Sequence, residues 1–144
     1  MIKITSHQNI GIKNVSPNDN VILITEPNSK VAMPQCKNLL VLRFEDIWCE
    51  NSVFAAPTKD HIKQALDFAQ DKDNLTIACT AGVSRSSAIA CIIAAQKCLD
   101  PISVLNKKSH HPNNLIIKLG ADLLKKPELY TLIERWKLDN SKKE

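Results

Sequence analysis

The chain has 144 residues, 44% of them hydrophobic, which is enough for one domain, residues 1–144, with a full core. Its net charge of +4 comes from scattered lysines with a small cluster near the C-terminus, and aromatics make up only 4%. With aromatics so sparse, a solvated surface is expected and a nucleic-acid partner is not. No apolar run reaches the ~18–20 residues of a membrane span. Met1–Val15 holds Lys3, His7 and Asn9 and has no signal-peptide core. Five cysteines, an odd number without framework spacing, point to a reducing cytoplasm, with signal-independent export left open.

In chain order, Ile2–Thr5 reads as an edge strand. Val21–Thr25 and Leu39–Phe44 are short apolar runs bounded by turn residues, and both read as buried strands. Thr58 is placed to cap a helix over 58–70, where Ile62, Ala65, Leu66 and Ala69 form an i, i+3, i+4, i+7 stripe. Leu75–Cys79 reads as a central strand. Ser87–Leu99 has almost no polar face and reads as a buried helix that stops at Asp100-Pro101. Cys91 and Cys98, seven apart, then share its buried face. A short helix near Ile102–Lys107, a longer one over Asn114–Lys126 and a last one over Pro127–Leu138 complete the chain. Early strands, a strand-loop-helix unit and late helices describe a single α/β domain. It has a central, mostly parallel sheet of four to five strands flanked by helices.

Between the central strand and the buried helix runs Cys79-Thr80-Ala81-Gly82-Val83-Ser84-Arg85-Ser86. A strand turning sharply into a helix leaves several N–H groups pointing at one spot, where the positive helix end adds its field. The expected cradle is the N–H set of Thr80, Ala81, Gly82, Val83, Ser84 and Arg85, with the Thr80 and Ser84 side chains serving loop packing. A thiol held there becomes a nucleophile, and the arginine fork matches two phosphate oxygens. With only three arginines, a Cys-x5-Arg spacing arises by chance in roughly one such composition in ten. The added residues sharpen it. Gly82, one of three glycines, falls in the turn where positive φ is needed, and Ser86 can cap the helix and donate to the thiolate. No metal or cofactor is called for, and His110-His111 lacks the spacing and carboxylate partner of a ligand set.

Ala78-Cys79-Thr-Ala-Gly-Val-Ser-Arg-Ser-Ser-Ala resembles the signature loop of the cysteine-dependent protein tyrosine phosphatases, in their dual-specificity branch. Phe44-Glu45-Asp46-Ile47, Ala56-Pro57, Phe68-Ala69 and Pro112-Asn113-Asn114-Leu115 extend the likeness to a small bacterial group of predicted tyrosine phosphatases. The likeness covers residues 38–125. It implies hydrolysis of phosphoproteins (phosphotyrosine, with phosphoserine or phosphothreonine as further substrates) or of another phosphoester, through a cysteinyl-phosphate. A monomer is expected. The family's usual histidine before the cysteine is Ala78 here, which leaves loop ordering to the amides, Arg85 and the helix end.

The leaving oxygen needs a proton, so a carboxylic acid must face the cradle. In parallel sheets the site lies beyond the carboxyl ends of the strands, which removes Asp71 and Asp73 and keeps Glu26, Glu45 and Asp46. Residue chemistry leaves these three open. The resemblance selects Asp46, 33 positions before Cys79, with Glu45 second. The expected catalytic set is thus Cys79, Arg85, Asp46 and Ser86. Competing readings are a non-catalytic module that binds phosphorylated partners, a phosphoinositide or nucleotide phosphatase, and an arsenate reductase.

Overall fold

The computed structural model describes residues 1–7, 16–49 and 55–141. Residues 8–15 of the stretch read for a leader lie outside them. Strands β1 (Ile2–Ser6), β2 (Asn20–Thr25), β3 (Asn38–Arg43) and β4 (Leu75–Cys79) pair in the order β1-β4-β2-β3. Every pairing is parallel. The register sets Ser6 beside Cys79, Ala78 beside Leu23, and Thr25 beside Arg43, so the carboxyl ends of the strands reach one edge together.

β2 and β4 are interior strands and read as near-continuous apolar runs, as strands covered on both faces must. The alternation of side chains separates two clusters. Ile22, Ile24, Leu75, Ile77 and Cys79 join the helices in the main core, whereas Val21, Leu23 and Ala78 pack with Val31, Cys36 and Val41. β3, expected to be buried, is an edge strand with Leu39 exposed; its apolar residues meet only one neighbouring strand.

Helix α1 (Lys59–Ala69) starts from a reciprocal cap: His61 N donates to Thr58 Oγ1 at 3.3 Å and Thr58 N donates to His61 Nδ1 at 3.1 Å. Helix α2 (Arg85–Gln96) is buried from Arg85 to Ala95. It starts two residues before Ser87 and ends short of Leu99. A Schellman closure stops it: Leu99 N donates to Ala94 O at 2.8 Å and Cys98 N to Ala95 O at 3.1 Å, with Cys98 left-handed at φ 59. Cys98 therefore leaves the helix and is exposed, so the shared buried face with Cys91 does not exist. The turn at Pro101–Val104 is a 3-10 helix, shorter than the helix expected near Ile102–Lys107; the Asp100 carboxylate caps its start by accepting from the Ile102 amide, and the chain is extended again at Leu105. Helices α3 (Asn114–Leu124) and α4 (Glu128–Ser141) complete the fold. Among the described residues no helix is long and apolar enough to cross a membrane.

α3 lies close on α2 at Gly120, where a Cβ would stand 2.4 Å from Ile92 Cγ2. Ile92 is fully buried, so it has no room to yield. Gly120→Ala is expected to destabilise by about 1–3 kcal/mol, although alanine is the better helix former by about 1 kcal/mol. In an Ile92→Ala background the added methyl has space and the loss should shrink or reverse. Chemical denaturation of the four variants checks this, and strictly additive losses would show that the contact is not the cause.

Candidate active site

β4 delivers Cys79 to the carboxyl edge of the sheet, and α2 begins at Arg85. The connecting loop turns on Gly82, whose φ is +71 and whose missing Cβ would fall 2.9 Å from the carbonyl carbon and oxygen of Thr5. Left-handed backbone and close approach to β1 both demand glycine there. The amides of Ala81, Gly82, Val83 and Ser84 donate to no acceptor among the described residues. They and the start of α2 offer an anion an array of unpaired donors.

Cys79 lies on the floor of this loop, 2% exposed, with Sγ 3.1 Å from Ser86 Oγ. The thiol donates when neutral, and the hydroxyl donates once the sulfur is a thiolate. Ser86 is fully buried inside the first turn of α2 and does not cap it. The N-cap position belongs to Ser84, whose hydroxyl makes no cap bond and donates instead to Asp46 Oδ1 at 2.9 Å.

Arg85 is 4% exposed. Its Nη1 donates to the Phe44 carbonyl at 2.8 Å, and its Nη2 donates to Glu26 Oε1 at 2.8 Å and to Thr80 Oγ1 at 3.1 Å. These contacts leave Nε–H without a protein partner among the described residues, available to an oxyanion. Thr80 Oγ1 in turn donates to the Glu26 carboxylate, so the three side chains close a ring. Partial burial pushes the Glu26 carboxyl up. Hydrogen bonds from its own amide, Arg85 and Thr80, with the charge of Arg85, outweigh that and hold it below the usual carboxylate value of 4.5. A groove of about 570 Å³ opens beside it, lined by Pro27, Asn28, Ser29, Glu45 and Ala55.

Asp46 is exposed at the rim of the loop. Its Oδ1 accepts from Ser84 Oγ and, at 2.7 Å, from Asn113 Nδ2. Asn113 is fully buried and caps α3 through its Oδ1, which accepts from Ile116 N at 3.0 Å. Next to it, the Trp48 ring lies 5.3 Å from the His111 ring and 4.8 Å from Lys137 Nζ, while His111 N donates to Val83 O at 2.9 Å. Burial, assisted by Lys137, pushes the His111 imidazole below its ordinary value of 6.5.

The structure thus brings Cys79, Arg85, Ser86 and Asp46 to one loop. Glu45 points into the groove and takes no part in the Ser84–Asp46–Asn113 contacts. Two members of the site have contacts that the sequence did not disclose. Glu26 stood among the acid candidates because it follows β2, but its partner is Arg85. Asn113 carried a helix-start signal before an apolar stripe, which did not reveal that it reaches Asp46.

No protein-family model matches the chain, and no curated protein matches it significantly. Solved structures do. Human tyrosine phosphatase-like serine/threonine/tyrosine-interacting protein superposes with a TM-score of 0.64 at 15% identity, over 86% of this chain and 91% of that one. Human DUSP28 gives 0.54 at 10% identity, over 99% of this chain and 95% of its own, and DUSP15 gives 0.52 at 17%, over 81% and 78%. The chain has the fold of the dual-specificity phosphatases, as the signature-loop resemblance implies.

The Glu26–Arg85 contact carries a pH signature. A lowered carboxyl stabilises the fold fully above 4.5 and loses that contribution as pH falls through the lowered value. Glu26→Gln should cost about 1 kcal/mol at pH 7, a figure reduced by the solvent exposure of the carboxylate. The difference from wild type should start to shrink as pH falls below 4.5 and should close once pH is below the lowered value, where the folded wild-type side chain is neutral as well. Denaturant titrations across that range test it, and a difference that persists undiminished into acid would remove the ion pair as its source.

Proposed function

We propose that the chain is a phosphoester hydrolase of the protein tyrosine and dual-specificity type, acting through a cysteinyl-phosphate. The observation that carries this reading is the loop itself. A buried thiol 3.1 Å from a buried hydroxyl sits beneath unpaired amides, one turn from an immobilised arginine.

In the first step the Cys79 thiolate attacks phosphorus in line, so an S–P bond forms as the bond to the leaving oxygen breaks. Asp46 gives its proton to that oxygen. The loop amides and the Arg85 guanidinium hold the equatorial oxygens and grip harder as charge moves onto them. In the second step water attacks phosphorus, Asp46 takes its proton, and the S–P bond breaks. The Ser86 hydroxyl then donates to the departing thiolate. No step calls for a metal. The Thr80 side chain tethers Arg85, and that of Ser84 tethers Asp46. A phosphoprotein, phosphotyrosine foremost, is the substrate class that the signature-loop resemblance implies.

One observation favours a second reading, a module that binds phosphorylated partners without turnover. A neighbour of similar fold carries the name of a phosphatase-like interacting protein, and this cradle has an alanine where the family's usual histidine stands.

Hydrolysis of p-nitrophenyl phosphate separates the two. Wild type should turn over with sensitivity to vanadate, and Cys79→Ser should lose on the order of 10³-fold or more. Asp46→Asn should lose about 10²-fold or more on phenyl phosphate, whose leaving group needs the proton, and should lose the alkaline limb of the pH–rate profile. Phosphopeptide binding by the wild type with no turnover would establish the binding module instead.

A further inference from the structure

Asn113 makes more of the site's contacts than any role above requires. It is fully buried, yet every polar atom it carries is spoken for. Its Nδ2 donates to Asp46 Oδ1 at 2.7 Å and to the Ile47 carbonyl at 3.1 Å. Its Oδ1 accepts from Ile116 N at 3.0 Å, and its backbone N donates to Ser84 O at 3.1 Å. Its side chain therefore joins the start of α3 to the segment carrying Asp46, and its backbone ties both to the signature loop.

A helix cap needs only the oxygen, which serine or aspartate supplies as well. The amide nitrogen is what the other two do not offer at that reach, and here it is aimed at the carboxyl group. Both donors to Asp46, Asn113 Nδ2 and Ser84 Oγ, land on the same oxygen. Oδ2 has no partner among the described residues. A neutral carboxyl group held this way presents its carbonyl oxygen to the donors and carries its proton on the other oxygen. The Ile47 carbonyl fixes the amide plane, so Nδ2 cannot turn away from Oδ1.

We propose that Asn113 is a positioning residue: its side-chain amide orients the Asp46 carboxyl group so that Oδ2 carries the proton delivered to the leaving oxygen. The proposal rests on the reading of Asp46 as the acid. Its effect is confined to leaving groups that need a proton, because Asn113 touches neither Cys79 nor Arg85.

The test uses the full chain with Asn113→Asp, Asn113→Ser, Asp46→Asn and the double variant Asp46→Asn/Asn113→Ser. Both Asn113 variants keep an oxygen for the α3 cap, and thermal denaturation confirms that each is folded. The readout is the ratio of kcat on phenyl phosphate to kcat on p-nitrophenyl phosphate. Asp46→Asn should lower that ratio by about 10²-fold, and each Asn113 variant by about 10-fold. The double variant should fall no further than Asp46→Asn. In Asn113→Asp two carboxyl groups meet over one proton, so the alkaline limb of the pH–rate profile should rise by about one unit. Asn113→Ser should not show that rise. His111, Lys137 and Glu134, which also titrate on this side of the site, are unchanged in every variant. A ratio lowered by Asp46→Asn but not by the Asn113 variants overturns the proposal and leaves the acid assignment standing, as do additive losses in the double variant. A ratio that Asp46→Asn leaves unchanged overturns both.

Discussion

A buried guanidinium organises the carboxyl edge of this sheet. Arg85 is 4% exposed and largely cut off from water, so most of its donors must be met by protein oxygens. It meets them at the ends of two other strands: Glu26 directly follows β2, and Phe44 directly follows β3. Thr80, directly after β4, completes the set. Only a parallel sheet in level register places three strand ends within reach of one side chain, and the pairings of Thr25 with Arg43 and of Leu23 with Ala78 provide that level. Removing one partner from a buried ion pair costs about 3–5 kcal/mol, less where a carboxylate keeps 38% of its surface in water as Glu26 does. The arginine that would bind phosphate is therefore also what holds its own loop in shape.

The segment carrying Asp46 is built differently. Residues 44–49 have no regular structure, and their backbone is fastened at single points: Phe44 N to Thr25 O at 2.9 Å, Glu45 N to Ala55 O at 2.7 Å, and Ile47 N to Glu45 O at 2.9 Å. Side-chain contacts do the rest. Ser84 and Asn113 hold the carboxyl group from below, while Trp48 rests between His111 and Lys137. Each such contact contributes about 1 kcal/mol, so this segment is the part of the site most open to local rearrangement.

What the sequence disclosed followed from how local each feature is. The Cys79–Arg85 turn lies within one strand-loop-helix unit, so spacing and the glycine were enough to read it. Asp46 was reachable because strand ends face one edge and a family likeness chose among three carboxylates. Contacts across long separations stayed hidden: Glu26 to Arg85 spans 59 positions and Asn113 to Asp46 spans 67, and no periodicity encodes either. Capping was read two residues late. Ser86 has a capping residue's chemistry, but Ser84 O accepts from Ala88 N and the helix starts before Ser86. The apolar pattern of Leu39–Phe44 suited a buried strand, yet strand order alone decides which run becomes an edge.

The alanine before the nucleophile fits this division of labour. Side chains alternate along β4, so Cys79 faces the helices and Ala78 faces the opposite cluster of Val21 and Leu23. Ala78 is fully buried among them. A histidine there would carry two ring nitrogens into apolar surroundings, and each left without a partner would cost about 1–3 kcal/mol. This chain therefore has an apolar second face where the family likeness would put an imidazole. The ordering such a ring supplies must come from the Cys79 side. Ser86 stands 3.1 Å from the sulfur there, and the ring of Thr80, Glu26 and Arg85 closes over the strand ends. Because the two demands fall on opposite faces of one strand, the apolar packing at Ala78 leaves the geometry around the thiol intact.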